Sequence, residues 1–317
     1  MIPQVPAGEY DHRMGRGGYE SWFLSARDPG SPRALWIRHT RHRPRQGPES
    51  VALWCTLADL SQGRPPAVVK QVFSAFPAGA AAGPRQFRGT AALGQRTAYW
   101  DLTISDPQPP LQPLRPAVLR RAPLPRTKLE ASVPDGWVTG TLDVDGRTAT
   151  VSGWRGTVGH NWGSEHADAW MWLHADFGTA PGGWLELVLA RIRIGRARLP
   201  WTAMGALSLD GERIPLGGLG RRPRVAGRPG RLTADIPSPG ARLRLTVMAG
   251  DGDTVAVRYA DPSGGARAVS HAPLASAELT LRRRGGREAA LSSSRCAYEY
   301  GTSQDLGEIT PESLPEG

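Results

Sequence analysis

Lysine and asparagine are almost missing: only Lys70 and Lys128 among 39 basic residues are lysines, and Asn161 is the single asparagine. Both scarcities fit a GC-rich coding bias, which weakens any functional reading of the +10 net charge. Such a charge ordinarily points to nucleic acid, a membrane surface or an acidic partner. Here the arginines are spread among strand-like segments, with only short runs such as Arg282-Arg283-Arg284. A solvated basic surface is expected, and no nucleic-acid partner. Cysteine is reduced to Cys55 and Cys296, in separate segments with no metal or redox spacing, so two buried free thiols are expected. No run of about 18 apolar residues occurs, which excludes an integral membrane helix. The first twenty residues, MIPQVPAGEYDHRMGRGGYE, lack the apolar core of a secretory signal, so the expectation is a soluble, cytoplasmic protein. P-loop, strand-bound GxGxxG, GxSxG and CxxC motifs are absent too. Chemistry that depends on them is excluded, and no cofactor is expected.

Turn formers are plentiful, with 39 glycines and 29 prolines, and the apolar residues between them recur with period two. That is the strand signal. SWFLSA, RALWIRHT, VALWCTLAD, AYWDLTIS, WVTGTLDVDG, RTATVSGW, AWMWLHADF, WLELVLARIRI, TAMGALSLDG, RLRLTVMAG, DTVAVRYA and AELTLRRR each read as a strand, and only PPAVVKQVF as a short helix. Many short strands with closely spaced turns predict an all-β chain of sandwich or antiparallel-barrel type. Asp145-Gly146, Asp210-Gly211 and Asp251-Gly252 read as type I′ hairpins or related loops. The proline-rich stretch from Asp106 to Pro134 is excluded from central sheet, because proline cannot donate to a ladder. It is expected to cross the surface of one barrel. Leu216 to Pro229 reads as an exposed loop.

The chemistry, if there is any, concentrates in GHNWGSEHADAWMWLHAD, residues 159–176. An extended backbone puts His160, Trp162 and His166 on one face, and Trp170, Trp172, His174 and Asp176 on one face of the next strand. If the two segments pair, one wall carries His160, Trp162, Trp170, Trp172, His174 and Asp176, while Asn161 and Glu165 turn elsewhere. A wall of indoles suits a polyene, an aromatic ring or a developing carbocation, and an imidazole or a protonated acid beside it can transfer a proton. The same residues can equally be the packed interior of a barrel, with each N–H satisfied by backbone. A metal site is disfavoured, since His160, His166 and His174 match no compact zinc spacing.

The segment GHNWGSEHADAWMWLHADF, with Asn161-Trp162-Gly163 followed by Trp170-x-Trp172, resembles the central motif of the two-domain lipocalin-like superfamily. That superfamily takes in AttH-like proteins, carotenoid 1,2-hydratases (hydroxyneurosporene synthases), tocopherol cyclases, and kievitone-hydratase and Diels–Alderase relatives. GGYESWFLSARDPGSPRALWIRHT and TGTLDVDGRTATVSGWRGTVGHNWG resemble it as well, so the likeness covers about half the chain. It implies two lipocalin-like antiparallel β-barrels packed together, here divided as residues 1–158 and 159–317. It also implies a hydrophobic isoprenoid, polyene or polyketide-like ligand in a Trp-lined barrel cavity. In the carotenoid hydratases a Tyr and an Asp beyond the NWG serve as acids. The corresponding stretch here, WLELVLARIRI, offers Leu187 and Leu189, and a regular strand turns Glu186 to the opposite face.

Two functions follow. One is a cofactor-independent cyclase, hydratase or isomerase of secondary metabolism, with His160, His174 and Asp176 moving protons and Trp162, Trp170, Trp172 and His166 holding the ligand. The other is a non-catalytic carrier in which the same groups only satisfy hydrogen bonds. In both, Asn161 and Gly163 are structural. Whether Tyr10, Tyr19, Glu20, Tyr298 or Tyr300 reaches the cavity, and in what oligomeric state, is open at this level.

Overall fold

The computed structural model describes residues 16–63, 65–178, 183–286 and 288–306; the N-terminal stretch through residue 15, Tyr10 included, lies outside the described residues. The chain is all-β. The first sheet contains β1 (Gly18–Arg27), β2 (Arg33–Arg43), β3 (Ser50–Asp59), β4 (Ala67–Phe73), β5 (Ala81–Ala82), β6 (Gln86–Leu93), β7 (Arg96–Ser105), β8 (Thr127–Val144) and β9 (Arg147–Gly163). Their spatial order is β4-β3-β2-β1-β9-β8-β7-β6-β5, antiparallel throughout. The second half supplies β10 (Ala169–Asp176), β11 (Trp184–Arg191), β12 (Arg193–Ile194), β13 (Ala197–Arg198), β14 (Thr202–Leu209), β15 (Glu212–Gly217), β16 (Arg224–Arg228), β17 (Arg231–Ser238), β18 (Ala241–Met248), β19 (Val255–Ala260), β20 (Ala266–Arg283) and β21 (Glu288–Thr302). β12 and β13 form a separate small hairpin, and the others make the second sheet, ordered β15-β14-β11-β10-β21-β20-β18-β17-β16 with β19 beside β20.

Each sheet curls so that strands near its two ends come into contact. In the first, the Gln71 side chain of β4 accepts the Ala92 N–H of β6 at 2.8 Å. In the second, Ser238 of β17 accepts the Gly217 N–H of β15 at 3.0 Å. Strand parity then divides the apolar residues into three bodies. Leu24, Leu35, Ile37, Leu53, Trp100 and Leu142 fill the first barrel, and Met171, Leu173, Leu187, Leu189, Leu245 and Tyr298 fill the second. The alternate residues of β1–β4 meet those of β10, β11, β19 and β20 in a third cluster between the barrels, with Phe23, Trp36, Trp54, Trp172 and Val257.

Four local expectations change. PPAVVKQVF forms β4, because Val68, Val69 and Val72 are β-branched and the segment completes a ladder with β3. The proline-rich connection ends at Arg126. β8 takes over at Thr127 and passes Pro134 through register shifts between Ala131 and Gly136, the kind of irregularity at which a sheet tolerates proline. The connection also crosses to the other barrel, where Leu111 packs with Trp184 and Ala206. Within Leu216–Pro229, Leu216 and Gly217 finish β15, and Arg224–Arg228 pair with β17 as an edge strand. Asp145-Gly146 and Asp210-Gly211 take positive φ at both residues and close two-residue hairpins. Asp251-Gly252 instead links β18 to β19, which both pair with β20 rather than with each other. Cys55 and Cys296 are free and buried.

Candidate functional site between the barrels

The two segments that carry the histidines and tryptophans do not pair. β9 lies between β1 and β8 in the first sheet, whereas β10 lies between β11 and β21 in the second. The expected six-residue wall is therefore split. Even-numbered His160 and Trp162 sit opposite Trp22 and Glu20 of β1, on the face that lines the first barrel. His160 is stacked between Trp22 and Trp162, and its Nε2 meets the Glu20 carboxylate at 2.9 Å. Odd-numbered Asn161 faces the space between the barrels.

That space contains a cavity of about 380 Å³. Phe23, Trp170, Trp172, Val188, Ala190 and Met204 make its apolar walls, and Leu114, Leu119, Leu124 and Pro125 of the proline-rich connection cover one side. Its rim carries Leu124, Ile194, Leu199 and Leu219, large apolar side chains that are exposed. The size lies near the lower end of roughly 300 to 1,000 Å³ for small-molecule sites. A larger depression of about 830 Å³ lies over β16, β17, β18, β20 and β21, open to solvent and edged by Arg224, Asp235, Arg244 and Glu278. It has neither enclosure nor an aromatic wall.

The wall of β10 and β11 follows from strand alternation. In β11 the odd residues Leu185, Leu187 and Leu189 enter the second barrel, so the even residues Glu186, Val188 and Ala190 face the cavity. Glu186 is the one charged side chain within the WLELVLA run, and it is 5% exposed. Its Oε1 accepts the Trp172 indole N–H at 2.6 Å, and its Oε2 stands 3.5 Å from the Thr157 hydroxyl. Thr157 donates at 2.9 Å to the Val133 carbonyl, which leaves its oxygen free to accept a proton from Glu186. Burial pushes the Glu186 carboxyl up to about 8, against the opposing effects of the Trp172 N–H and the Arg27 charge. A neutral carboxylic acid thus faces an apolar cavity at pH 7.

A second polar group stands where Tyr259, His166 and Glu299 converge. His166 is stacked on Tyr19 with ring centroids 4.0 Å apart. Asp261 Oδ2 accepts the His166 backbone N–H at 3.0 Å and faces its Nδ1 at 3.4 Å. Placing the ring proton on Nδ1 leaves Nε2 a bare acceptor, and Nε2 is buried without a partner among the described residues. Burial lowers this imidazole to about 4, so it is neutral at pH 7. Glu299 accepts the Trp170 indole N–H and the Tyr259 hydroxyl, each at 2.7 Å. Two titratable groups are thereby displaced in opposite directions around one cavity, Glu186 toward a neutral acid and His166 toward a neutral base.

No protein-family profile matches the chain. Over 269 residues it is 30% identical to two uncharacterised proteins of Mycobacterium tuberculosis, MT0513 of strain CDC 1551 and Rv0493c of strain H37Rv, covering 81% of this chain and 79% of each relative. Among solved structures it is similar to NE1406 of Nitrosomonas europaea, assigned to AttH, with a TM-score of 0.54 and 16% identity over 95% of this chain and 99% of that one. It is also similar to CghA in complex with Sch210972, with a TM-score of 0.58 and 11% identity over 92% and 89%. The chain belongs to one family with the two mycobacterial proteins, and its fold is that of the NE1406 and CghA structures.

In this chain the motif residues take different places. Trp170, Trp172 and His166 line the cavity; Trp162 does not. His174 shares the face of Trp172 but lies beyond the cavity, where both ring nitrogens are committed to the first barrel. Arg27 of β1 donates to Nδ1 at 2.5 Å, and Nε2 faces the Pro134 carbonyl at 2.9 Å. Burial and the adjacent guanidinium hold His174 well below its ordinary value. Asp176 accepts the Gly178 N–H at 2.8 Å and the Arg295 side chain at 3.1 Å, and it too lies outside the lining. Gly163 runs so close to the Arg126 carbonyl that a Cβ would lie 2.0 Å from the oxygen. Tyr19 reaches the cavity, Glu20 does not, and Tyr298 donates to the Arg228 and Arg231 carbonyls from the second barrel. Among the described residues no group of three or more His, Cys, Asp or Glu is placed to hold a metal, and no helix is long and apolar enough to cross a membrane.

Proposed function

We propose that this protein is an enzyme that binds a hydrophobic isoprenoid, polyene or polyketide-like molecule between its two barrels and catalyses acid-assisted cyclisation, hydration or isomerisation. The observation that carries the proposal is Glu186, a buried carboxylic acid hydrogen-bonded to Trp172 inside an apolar cavity. Its proton adds to one carbon of a ligand double bond, forming a C–H bond and leaving a carbocation at the other. The faces of Trp170 and Trp172 stabilise that charge by about 0.5 to 2 kcal/mol each. A hydroxyl of the ligand, or water, attacks the cation, and its proton passes to His166 Nε2. In an isomerisation, His166 instead removes a carbon-bound proton. Solvent then restores Glu186 and His166, so the sequence is neutral in protons and needs no cofactor.

In this reading each sheet is one domain, divided between β9, which ends at Gly163, and β10, which begins at Ala169, rather than at 158/159, and the ligand occupies a domain interface, a preferred place for small-molecule sites. His160, His174 and Asp176 receive no chemical step: His160 faces the first barrel, and the other two are held in bonds outside the cavity.

The test is solvent deuterium. Purified protein incubated in D2O with a bacterial lipid and metabolite extract transfers deuterium to carbon in at least one component, detected by mass spectrometry. Glu186→Gln, which keeps an oxygen for the Trp172 N–H, should retain the component and lose the transfer. Equal labelling by both proteins would overturn the assignment of Glu186. Retention of a component with no labelling by either would favour the carrier reading instead.

A further inference from the structure

Among the described residues, one cation in the cavity wall has no direct carboxylate partner. Arg38 of β2 is 5% exposed, and its Nε donates to the Ser21 hydroxyl at 2.7 Å. Its guanidinium carbon sits 3.6 Å from the Tyr259 ring centroid and within 6 Å of the Trp36 and Trp54 rings. Nη1 is buried without a hydrogen-bond partner, and among the described residues no carboxylate lies within ion-pair distance. Glu299, the nearby acid of the cavity wall, has one oxygen on the Trp170 N–H and the other on the Tyr259 hydroxyl. Aromatic faces favour a cation but do not replace an anion's hydrogen bonds. A buried guanidinium with an unmet N–H is costly unless something accepts from it. Because Arg38 lines the cavity, that acceptor can be brought by the ligand.

We propose that Arg38 is the head-group site of this cavity, and that the ligand is an amphiphile carrying a carboxylate or equivalent anionic oxygen on a hydrocarbon body. The inference rests on the reading of the cavity as a site for an apolar small molecule and adds its polar end. The head accepts from the unmet Arg38 Nη1 beside the Arg38–Tyr259 stack, and the hydrocarbon follows Phe23, Trp172 and Val188.

The probe is cis-parinaric acid, a fluorescent polyene carboxylate, compared with its uncharged methyl ester by titration and by energy transfer from tryptophan. At neutral pH the wild-type protein should bind the acid about tenfold or more tighter than the ester. Arg38→Met should reduce acid affinity to that of the ester while leaving ester affinity unchanged, and Arg38→Lys should restore part of the preference. Equal binding of acid and ester by the wild type overturns the head-group assignment alone, whether or not Arg38→Met folds. A preference that persists in Arg38→Met also overturns it. Excess inorganic phosphate that tightens ester binding and removes the acid's advantage would assign Arg38 to a free anion, against the proposal. If neither probe binds, the apolar-ligand reading fails, and this inference with it.

Discussion

At the residue scale, buried titratable groups dominate, and their signs can be read separately. Glu186 and Asp135 are raised by burial to about 8 and about 7 from ordinary values of 4.5 and 3.8. The native state holds these protons more tightly, so their contribution to stability is present at low pH and is lost as pH rises through 7 to 8. His39 and His271 fall to about 3 and His166 to about 4 from 6.5, all through burial. Their contribution is present above pH 6.5 and is lost as pH falls toward 4. Denaturant unfolding should therefore show a stability maximum near pH 6.5, and Glu186→Gln should flatten the decline from 6.5 to 8.5. Identical alkaline slopes in the two proteins would mean that Glu186 is already ionised at neutral pH. Trp170 and Trp172 were legible as a pair from alternation alone. Glu186 was read on the face opposite Leu187 and Leu189, as it stands in the structure; what alternation could not give is that this face borders the cavity. The signal was present in the sequence: the apolar run WLELVLA, which admits one charge, marks that position, since an unpaired carboxylate is rarely fully buried.

At the element scale, the long connection between β7 and β8 matters most. Sequence excluded it from the sheet but gave no hint that it would wall the cavity, because its destination is set by apolar contacts with the other barrel at Trp184 and Ala206. Lys128 holds its last turn, donating to the Ala122 carbonyl at 2.8 Å and to the Pro125 carbonyl. Lys128→Met removes both bonds from a buried position. Hydrogen exchange in residues 106–126 should rise while that of β1–β3 stays as in the wild type, and retained ligand should fall. Unchanged exchange in that segment would show that the proline contacts alone hold it. That residues 159–163 and 169–176 enter different sheets was equally beyond local pattern. Alternation fixes which residues share a face of one strand, whereas neighbouring strands are chosen by the whole sheet. The closeness of Gly301 to Trp170, where a Cβ would lie 2.2 Å from the indole, is another product of that long-range pairing.

At the scale of the whole molecule, each barrel is filled by its own aliphatic core, and the ligand space is what remains between them. This explains why the all-β class and the AttH-like architecture were readable from strand length, turn chemistry and the NWG and W-x-W signature, while the place of the site was not. It also gives His174 a role: from the second sheet it bonds Arg27 and Pro134 of the first, fixing the distance across the cavity. The most direct test of binding between the barrels is native mass spectrometry with a cavity-filling variant. Ala190 is half-buried on the cavity wall, with room in front of it. Wild-type protein equilibrated with a bacterial lipid extract should retain a small molecule, and Ala190→Trp, with unchanged circular dichroism, should retain none. Retention by Ala190→Trp equal to the wild type would place the ligand elsewhere and contradict the account.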